Sequence, residues 1–403
     1  MRILVQKFGG TSVATPEVRE QAIEHIMDAL RNGYAVVVVV SAMGRKGSPY
    51  ATDTLLQLVD HGECEARELD LLMSCGEIIS AVVLSSALRE RGLDTCVLTG
   101  GQAGIVTNDE FTNASILTIH PKRIRSELER GKIVIVTGFQ GITAEGEITT
   151  LGRGGSDTTA TALGVALDAE IVDIFTDVEG IMTADPRIVG DAKRLHQVTY
   201  TEICNLAYQG AKVIHPRAVE IAMQKNIPIR VRSTLSKDEG TLVTCQAELD
   251  RLEARGLADR LITGVTQTVN ITQIKVAVSP SKGNQLQIFK AMADHGISVD
   301  FISVTPTGVA FTVTNQEISK AIQVLRELGY EPETLANCAK VSVVGAGIAG
   351  VPGVMAKIVE ALTDEGIEIL QSADSHTTIW CLVHEEDMTR AVRALHAKFN
   401  LNK

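Results

Sequence analysis

The chain has 403 residues, 45% of them hydrophobic, with a formal net charge of −11. That length suits about two or three domains with a sizeable core. The acidic balance excludes nucleic acid or an anionic membrane as the main partner, because both require a basic face. Seven scattered cysteines form no C-x-x-C pair, which fits free thiols in a reducing compartment better than a disulfide frame or zinc site. The N-terminus carries no charged-then-apolar leader, and the apolar run Ala35 to Val40 is too short to span a bilayer. A cytoplasmic protein is expected.

In chain order, a strand over Ile3 to Val5 runs into Lys7-Phe8-Gly9-Gly10-Thr11-Ser12. Thr15 caps a helix with Pro16 in its first turn and Val18, Ala22, Ile23, Ile26 and Leu30 on one apolar face. Ala35 to Val40 is a buried strand ending at Ser41. Strand, helix, strand in this rhythm implies a parallel sheet with ligands beyond the carboxyl ends of its strands. Lys7 and Ser41 lie at those ends, although Lys7 taken alone also suits a solvated surface. Met43 to Asp53 is a polar loop, and a long helix from about Ala66 to Arg91 carries Glu77 among Cys75, Ile78 and Ile79. That carboxylate needs a partner if it is buried, and a surface position is equally compatible.

Strands at Thr95 to Leu98 and Ile133 to Val136 lead to the densest stretch, TTLGRGGSDTTA, from Thr149 to Ala160. Glycines just before a helix let backbone approach a ligand, and the free amides of a first helical turn attract anions. Arg153 adds a planar fork for a carboxylate or phosphate. Ser156 and Asp157 also suit an ordinary cap and first-turn acid of a helix over Asp157 to Ala169, which leaves Arg153 beside two glycines unexplained. Beyond lie a strand from Ile171 to Phe175 ending in Thr176-Asp177, the loop GIMTADPR, and two helices around Gly210-Ala211-Lys212. A last strand, Ile229 to Val231, ends this part of the chain.

Residues 233 to 260 are polar and suit a linker, with a short helix near Leu249 to Arg255. From about Ile262 a unit occurs twice. Lys275-Val-Ala-Val, a helix and Gly296-Ile297 match Lys340-Val-Ser-Val, a helix and Gly366-Ile367. Each copy suits βαββα, and self-similarity of this kind marks duplication. Gly345-Ala-Gly347-Ile-Ala-Gly350 imitates a dinucleotide fingerprint, with Glu368 as its acid, but too little chain remains after Gly350 to build that domain.

KFGGTS, VVVSAMG, the helix with CGE, TTLGRGGSDTTA, FTDVEGIMTADPR and YQGAKVIHPRA resemble, in content and order, the aspartate kinases, in particular monofunctional bacterial ones. The repeat resembles the tandem ACT domains attached to them. The resemblance implies a three-layer α/β/α amino acid kinase fold with a mostly parallel central sheet over residues 1–232. A linker over 233–261 and ferredoxin-like ACT domains over 262–337 and 338–403 would follow. It implies ATP-dependent phosphorylation of the L-aspartate side chain, Mg²⁺ arriving with ATP, and no all-protein metal cage.

By the same resemblance, Lys7 and Lys212 flank the transferring phosphoryl group and Asp157 orients them. Phe8, Gly9, Gly10 and Ser41 approach the phosphates. Thr176, Asp177, Met182, Asp185, Pro186 and Arg187 line the nucleotide side, Met182 standing where some relatives have tyrosine. Arg153 pairs with the substrate α-carboxylate and Glu77 with its ammonium, while Thr11, Thr52, Gly154, Gly155 and Ser156 complete that site. An effector (lysine, threonine or diaminopimelate) would meet Ser298, Val299, Asp300 and Phe301 in the first ACT unit and Glu368 and Ile369 in the second. A homo-oligomer through the ACT units is expected, since no methionine lies between Met223 and Met292 to start a separate ACT fragment. A kinase for another acidic amino acid and an amino-acid sensor with an inactive kinase domain are the competing expectations.

Overall fold

The computed structural model describes residues 1–60, 62–211, 213–248, 261–278, 284–348 and 350–403. Lys212 and the helix expected near Leu249 to Arg255 lie outside the described residues. The chain forms two compact units, Met1–Ile181 with Arg194–Tyr208 and Lys212–Asp259, and Met182–Lys193 with Gln209–Ala211 and Arg260–Lys403.

The first unit runs β1 (Ile3–Phe8), α1 (Pro16–Arg31), β2 (Ala35–Val40), α2 (Thr52–Leu56), α3 (Ala66–Arg89) and β3 (Thr95–Leu98). β4 (Ile105–Thr107), β5 (Ile116–Ile119), α4 (Lys122–Glu129), β6 (Ile133–Thr137), β7 (Gln140–Ile142), β8 (Ile148–Thr150) and α5 (Gly155–Leu167) follow. β9 (Ile171–Thr176), β10 (Gln197–Thr199), α6 (Tyr200–Tyr208), α7 (Pro216–Met223), β11 (Ile229–Ser233) and β12 (Thr241–Thr244) complete it. The main sheet has the order β10-β12-β11-β9-β1-β2-β6-β3, and a small sheet has the order β5-β4-β7-β8. β1, β2, β6, β3, β9 and β11 are mutually parallel, and β12 runs antiparallel to β11.

The valine run of β2 is buried after its first residue, as a central strand covered on both faces requires. α1 starts at Pro16 with the Thr15 hydroxyl accepting from the Val18 N–H at 3.4 Å, and buries Ala22, Ile23, Ile26 and Ala29. α3 is long and apolar enough to cross a membrane by length and composition, yet its inner face packs in this unit and carries Asp70 and Glu77.

Two expectations need correction here. α5 begins at Gly155, two residues before the expected start, because Gly154 takes a left-handed conformation and no side chain caps the end. Ser156 is therefore a first-turn residue rather than the cap, and Asp157 is the first-turn acid expected. The expected linker also overlaps the sheet, since β11 reaches Ser233 and β12 inserts between β10 and β11. Its threonines look hydrophilic, but Thr241 is buried with its hydroxyl donating to the Leu195 carbonyl at 2.5 Å and accepting from the Ile181 N–H at 2.9 Å. A satisfied hydroxyl can be buried without penalty.

The second unit contains β13 (Gly264–Ala277), α8 (Asn284–Asp294), β14 (Asp300–Thr305), β15 (Gly308–Thr314), α9 (Ile318–Glu327) and β16 (Glu333–Val344). α10 (Val354–Asp364), β17 (Gln371–Asp374), β18 (Thr378–His384) and α11 (Met388–Lys398) follow. This is βαββα twice, in one six-stranded sheet of order β14-β15-β13-β16-β18-β17. The two long central strands belong to both copies. Gly264 to Thr268 pair with Lys340 to Val344, and Gln273 to Lys275 pair with Glu333 to Leu335. The register shifts between Thr268 and Ile271, where Asn270 has φ 60°, a left-handed value asparagine tolerates. Residues 264 to 268, expected in the first copy, therefore complete the sheet of the second. Ile262 and Val265 share a buried cluster with Val341, Ile358, Leu362 and Val392, while Ile274, Ile288, Phe311 and Leu325 form the other core.

Val265→Ala should cost about 1–2 kcal/mol and raise hydrogen exchange in β18 and α11 while leaving β15 and α9 protected. Equal loss of protection in both copies would contradict this division of the strand.

Candidate active site

Three parallel strands deliver polar groups to one rim. Lys7 lies one residue from the end of β1, Ser41 follows β2, and Thr176 closes β9. In register, Lys7 sits opposite Val39 on one side and Ile174 on the other. α5 begins at the same place, so Asp157 in its first turn meets the lysine. Lys7 Nζ and Asp157 Oδ1 are 2.8 Å apart, each side chain only 12% exposed.

A cleft of about 620 Å³ adjoins this pair. Lys7, Ser41, Glu77, Arg153, Ser156 and Asp157 line it, and so do Thr52, Gly154 and Gly155. Residues far apart in the sequence, from Lys7 to Asp157, are thus gathered at one cleft. Gly154 has φ 68°, and a Cβ there would lie 2.3 Å from the His215 side chain, so only glycine fits this approach to α7. Burial holds the His215 imidazole below its ordinary pKa.

Glu77 is 2% exposed, which resolves the choice left open by the sequence. Its Oε1 accepts from the Ala42 N–H at 3.0 Å, whereas among the described residues its buried Oε2 has no partner. Burial pushes the carboxyl up to about 8, the Ala42 hydrogen bond opposing the shift. Gly76 makes this placement feasible, because a Cβ there would lie 2.7 Å from Ala42 Cβ and 3.0 Å from the Tyr50 carbonyl. The α3 backbone packs directly beneath the loop that follows β2.

Other expected residues have different surroundings. Phe8 is fully buried and stacks on Phe175 with ring centroids 4.7 Å apart, so its side chain is core and only its backbone faces the rim. Gly9 donates to the Phe175 carbonyl at 3.4 Å, and the Gly10 carbonyl accepts from Gly44 at 2.9 Å. Thr11 lies in a short 3₁₀ turn, Gly10–Ser12, and is not part of the cleft lining. Thr176 donates to Asp177, which is also paired with Arg45. Met182, Asp185, Pro186 and Arg187 belong to the second unit and are absent from the cleft lining. There the Arg187 guanidinium bonds the Asp185 carboxylate and holds it below its ordinary pKa.

Sequence reasoning missed Met73, Thr112 and Phe139, which line the cleft, and Asp70, buried on α3. Thr112 and Phe139 gave no motif signal, although the seven-residue spacing of Asp70 and Glu77 puts two acids on one helix face. Among the effector candidates, Ser298 and Asp300 are exposed, Val299 is half-buried and Phe301 is buried. Lys340, 6% exposed, pairs with Asp300 at 2.5 Å. Glu368 is exposed and Ile369 packs against the second core.

The amino acid kinase family profile matches residues 2–233, and an ACT domain profile matches residues 333–397. Aspartokinase 1 of Bacillus subtilis (strain 168) is 58% identical over 406 residues, covering all of both chains. The chain belongs to the aspartokinase family. Solved aspartokinases share its architecture. Aspartokinase III of E. coli in complex with aspartate and ADP (R-state) matches with TM-score 0.80 and 27% identity, over 98% of this chain and 99% of that one. The same enzyme in complex with lysine and aspartate (T-state) matches with TM-score 0.76 at the same identity and coverage.

The Glu77 shift makes stability depend on pH. Raised from 4.5 to about 8, Glu77 keeps in the folded state a proton that the unfolded chain has lost. Its contribution to stability therefore falls as pH rises between those values, by at most about 1.4 kcal/mol per pH unit. Glu77→Gln cannot ionise, so its stability relative to wild type should climb from pH 5 to pH 8 and level off above. Parallel denaturation curves across that window would contradict the burial-driven shift.

Proposed function

We propose that this aspartokinase transfers the γ-phosphoryl group of ATP to the side-chain carboxylate of L-aspartate, giving 4-phospho-L-aspartate and ADP. An amino acid bound to the ACT units controls the reaction. The product opens the synthesis of lysine, threonine, methionine and diaminopimelate. One observation carries the reading: a buried carboxyl with an unpartnered oxygen shares a cleft with the exposed Arg153 guanidinium and an enclosed Lys7–Asp157 pair. The first two complement the charges of an amino-acid zwitterion, and the third complements a phosphoryl group.

Glu77 receives the substrate ammonium and Arg153 its α-carboxylate, with Thr52, Gly154, Gly155 and Ser156, which line the same cleft, adding hydrogen bonds. The side-chain carboxylate is already a nucleophile, so no general base is required. As its oxygen forms a bond to the γ-phosphorus, the bond to the ADP oxygen breaks, and the site must absorb charge on the equatorial oxygens. Lys7 supplies positive charge there, held by Asp157, and Lys212 is assigned the same task. The N-terminus of α5 adds its backbone dipole. Backbone at Phe8, Gly9 and Gly10, with Ser41, approaches the phosphates. Thr176, Asp177, Met182, Asp185, Pro186 and Arg187 serve the nucleotide. Among the described residues no cluster of three or more His, Cys, Asp or Glu side chains forms a metal cage. Mg²⁺ would arrive with the nucleotide phosphates and neutralise part of their charge. Of the two carboxylates in the cleft, Asp157 is the one beside Lys7.

The ACT units bind the effector (lysine, threonine or diaminopimelate) at Ser298, Val299, Asp300 and Phe301, with Glu368 and Ile369 as the second-copy counterparts, and assemble a homo-oligomer. Asp300 already holds one ammonium, that of Lys340, so an effector ammonium joins or displaces it.

A coupled ADP-release assay over acidic amino acids tests the activity: aspartate should be turned over and glutamate should not. Preference for glutamate, or no ADP release with any acid, would overturn it. Asp157→Asn should lower kcat about a hundredfold, equivalent to roughly 3 kcal/mol of lost transition-state stabilisation, and an unchanged kcat at saturation would remove Asp157 from the chemistry. Asp300→Asn should weaken inhibition at fixed aspartate with uninhibited kcat nearly intact, the coupling being about 1–3 kcal/mol. Titration of lysine, threonine and diaminopimelate reads this, and equal inhibition of both proteins would place the effector elsewhere.

A further inference from the structure

Asp70 lies two turns before Glu77 on the same face of α3 and is fully buried. Among the described residues no cation pairs with it. Its oxygens instead accept from the Thr112 N–H at 3.0 Å each, from the Thr150 N–H at 2.8 Å and from the Thr150 hydroxyl at 2.6 Å. An acid buried without a cation is costly, so an apolar residue would serve better if only core filling were needed.

What Asp70 holds is specific. Thr112 lines the cleft, and its φ is 69°, a strained value for a β-branched residue. Thr150 ends the strand that leads through Gly152 to Arg153. The two segments interlock, since the Ala114 N–H donates to the Thr150 carbonyl at 2.8 Å and a Cβ on Gly152 would lie 2.6 Å from Asn113 Oδ1. Arg217 bonds the Leu151 and Ala114 carbonyls, at 3.1 Å each, in the same two segments.

We infer that Asp70 is a positioning residue for aspartate binding: it holds Thr112 in its left-handed conformation and anchors the turn carrying Arg153, so the guanidinium is in place before substrate arrives. The inference rests on the reading of the cleft as the amino-acid site. Asp70 itself touches no substrate. It acts through the backbone of Thr112 and Thr150.

The test is steady-state kinetics with both substrates varied. Asp70→Leu removes every acceptor and should raise KM for aspartate about tenfold or more, with KM for ATP within about threefold of wild type. Asp70→Asn keeps an oxygen for the two N–H groups and an amide for the Thr150 hydroxyl, so it should restore KM for aspartate to within about threefold of wild type. If Asp70→Leu does not fold, Asp70→Glu, which keeps the charge but displaces both oxygens by a methylene, should show the same selective rise. An unchanged KM for aspartate in the disruptive variant, or an equal rise in KM for ATP, would overturn the inference. Arg153→Ala is the control. If it too leaves KM for aspartate unchanged, the cleft is not the aspartate site and the inference falls with it.

Discussion

The buried Glu77 carboxyl is the constraint on which the proposed substrate site depends. It is removed from water, given one backbone donor and left with one oxygen unsatisfied. Such a group is expensive in a resting fold, and α3 gains nothing from it by packing alone. Its neighbours are arranged to keep it there. Gly76 lets the helix approach the loop after β2, Ala42 supplies the hydrogen bond, and β2 fixes that loop by five successive buried valines. Strain and cost concentrated at one cleft are what a preorganised binding site requires.

The second unit solves a different problem. Two copies of a small βαββα module each lack area for a large core of their own, and sharing β13 and β16 gives each a four-stranded sheet within one continuous surface. The shared strands make the copies interdependent, which suits a device that must respond to a ligand at either one. The buried Lys340 begins the β16 segment of the second copy and reaches Asp300 of the first. With Asp300 proposed as an effector contact, exchange of this pair for a ligand ammonium would give the two states different contacts.

Much of this was legible in the sequence. β2, β3 and the long helix α3 follow from uninterrupted apolar or periodic runs, and the cleft residues Lys7, Ser41, Glu77, Arg153 and Asp157 were reached through their motifs. What escaped detection did so for physical reasons. β4, β7 and β8 are three residues each, too short to show a period. β12 is rich in threonine, and burial of hydrogen-bonded hydroxyls leaves no hydrophobic signature. The exchange of strand halves in β13 is a register property, set by pairing over long range that no local pattern encodes. Thr112 and Asp70 matter through backbone geometry, and a lone threonine or aspartate does not announce that.

On the proposed reading, aspartate binds by placing its ammonium against the Glu77 carboxyl. With its pKa raised to about 8, that group is mostly protonated near pH 7 and must lose its proton to pair with a cation. Calorimetric titration of aspartate into the enzyme saturated with a non-hydrolysable ATP analogue, repeated in buffers of different ionisation enthalpy, counts that proton. Release of nearly one proton per aspartate near pH 7, fading as pH rises well above 8, is the predicted result. Binding at pH 7 with no proton released would contradict it.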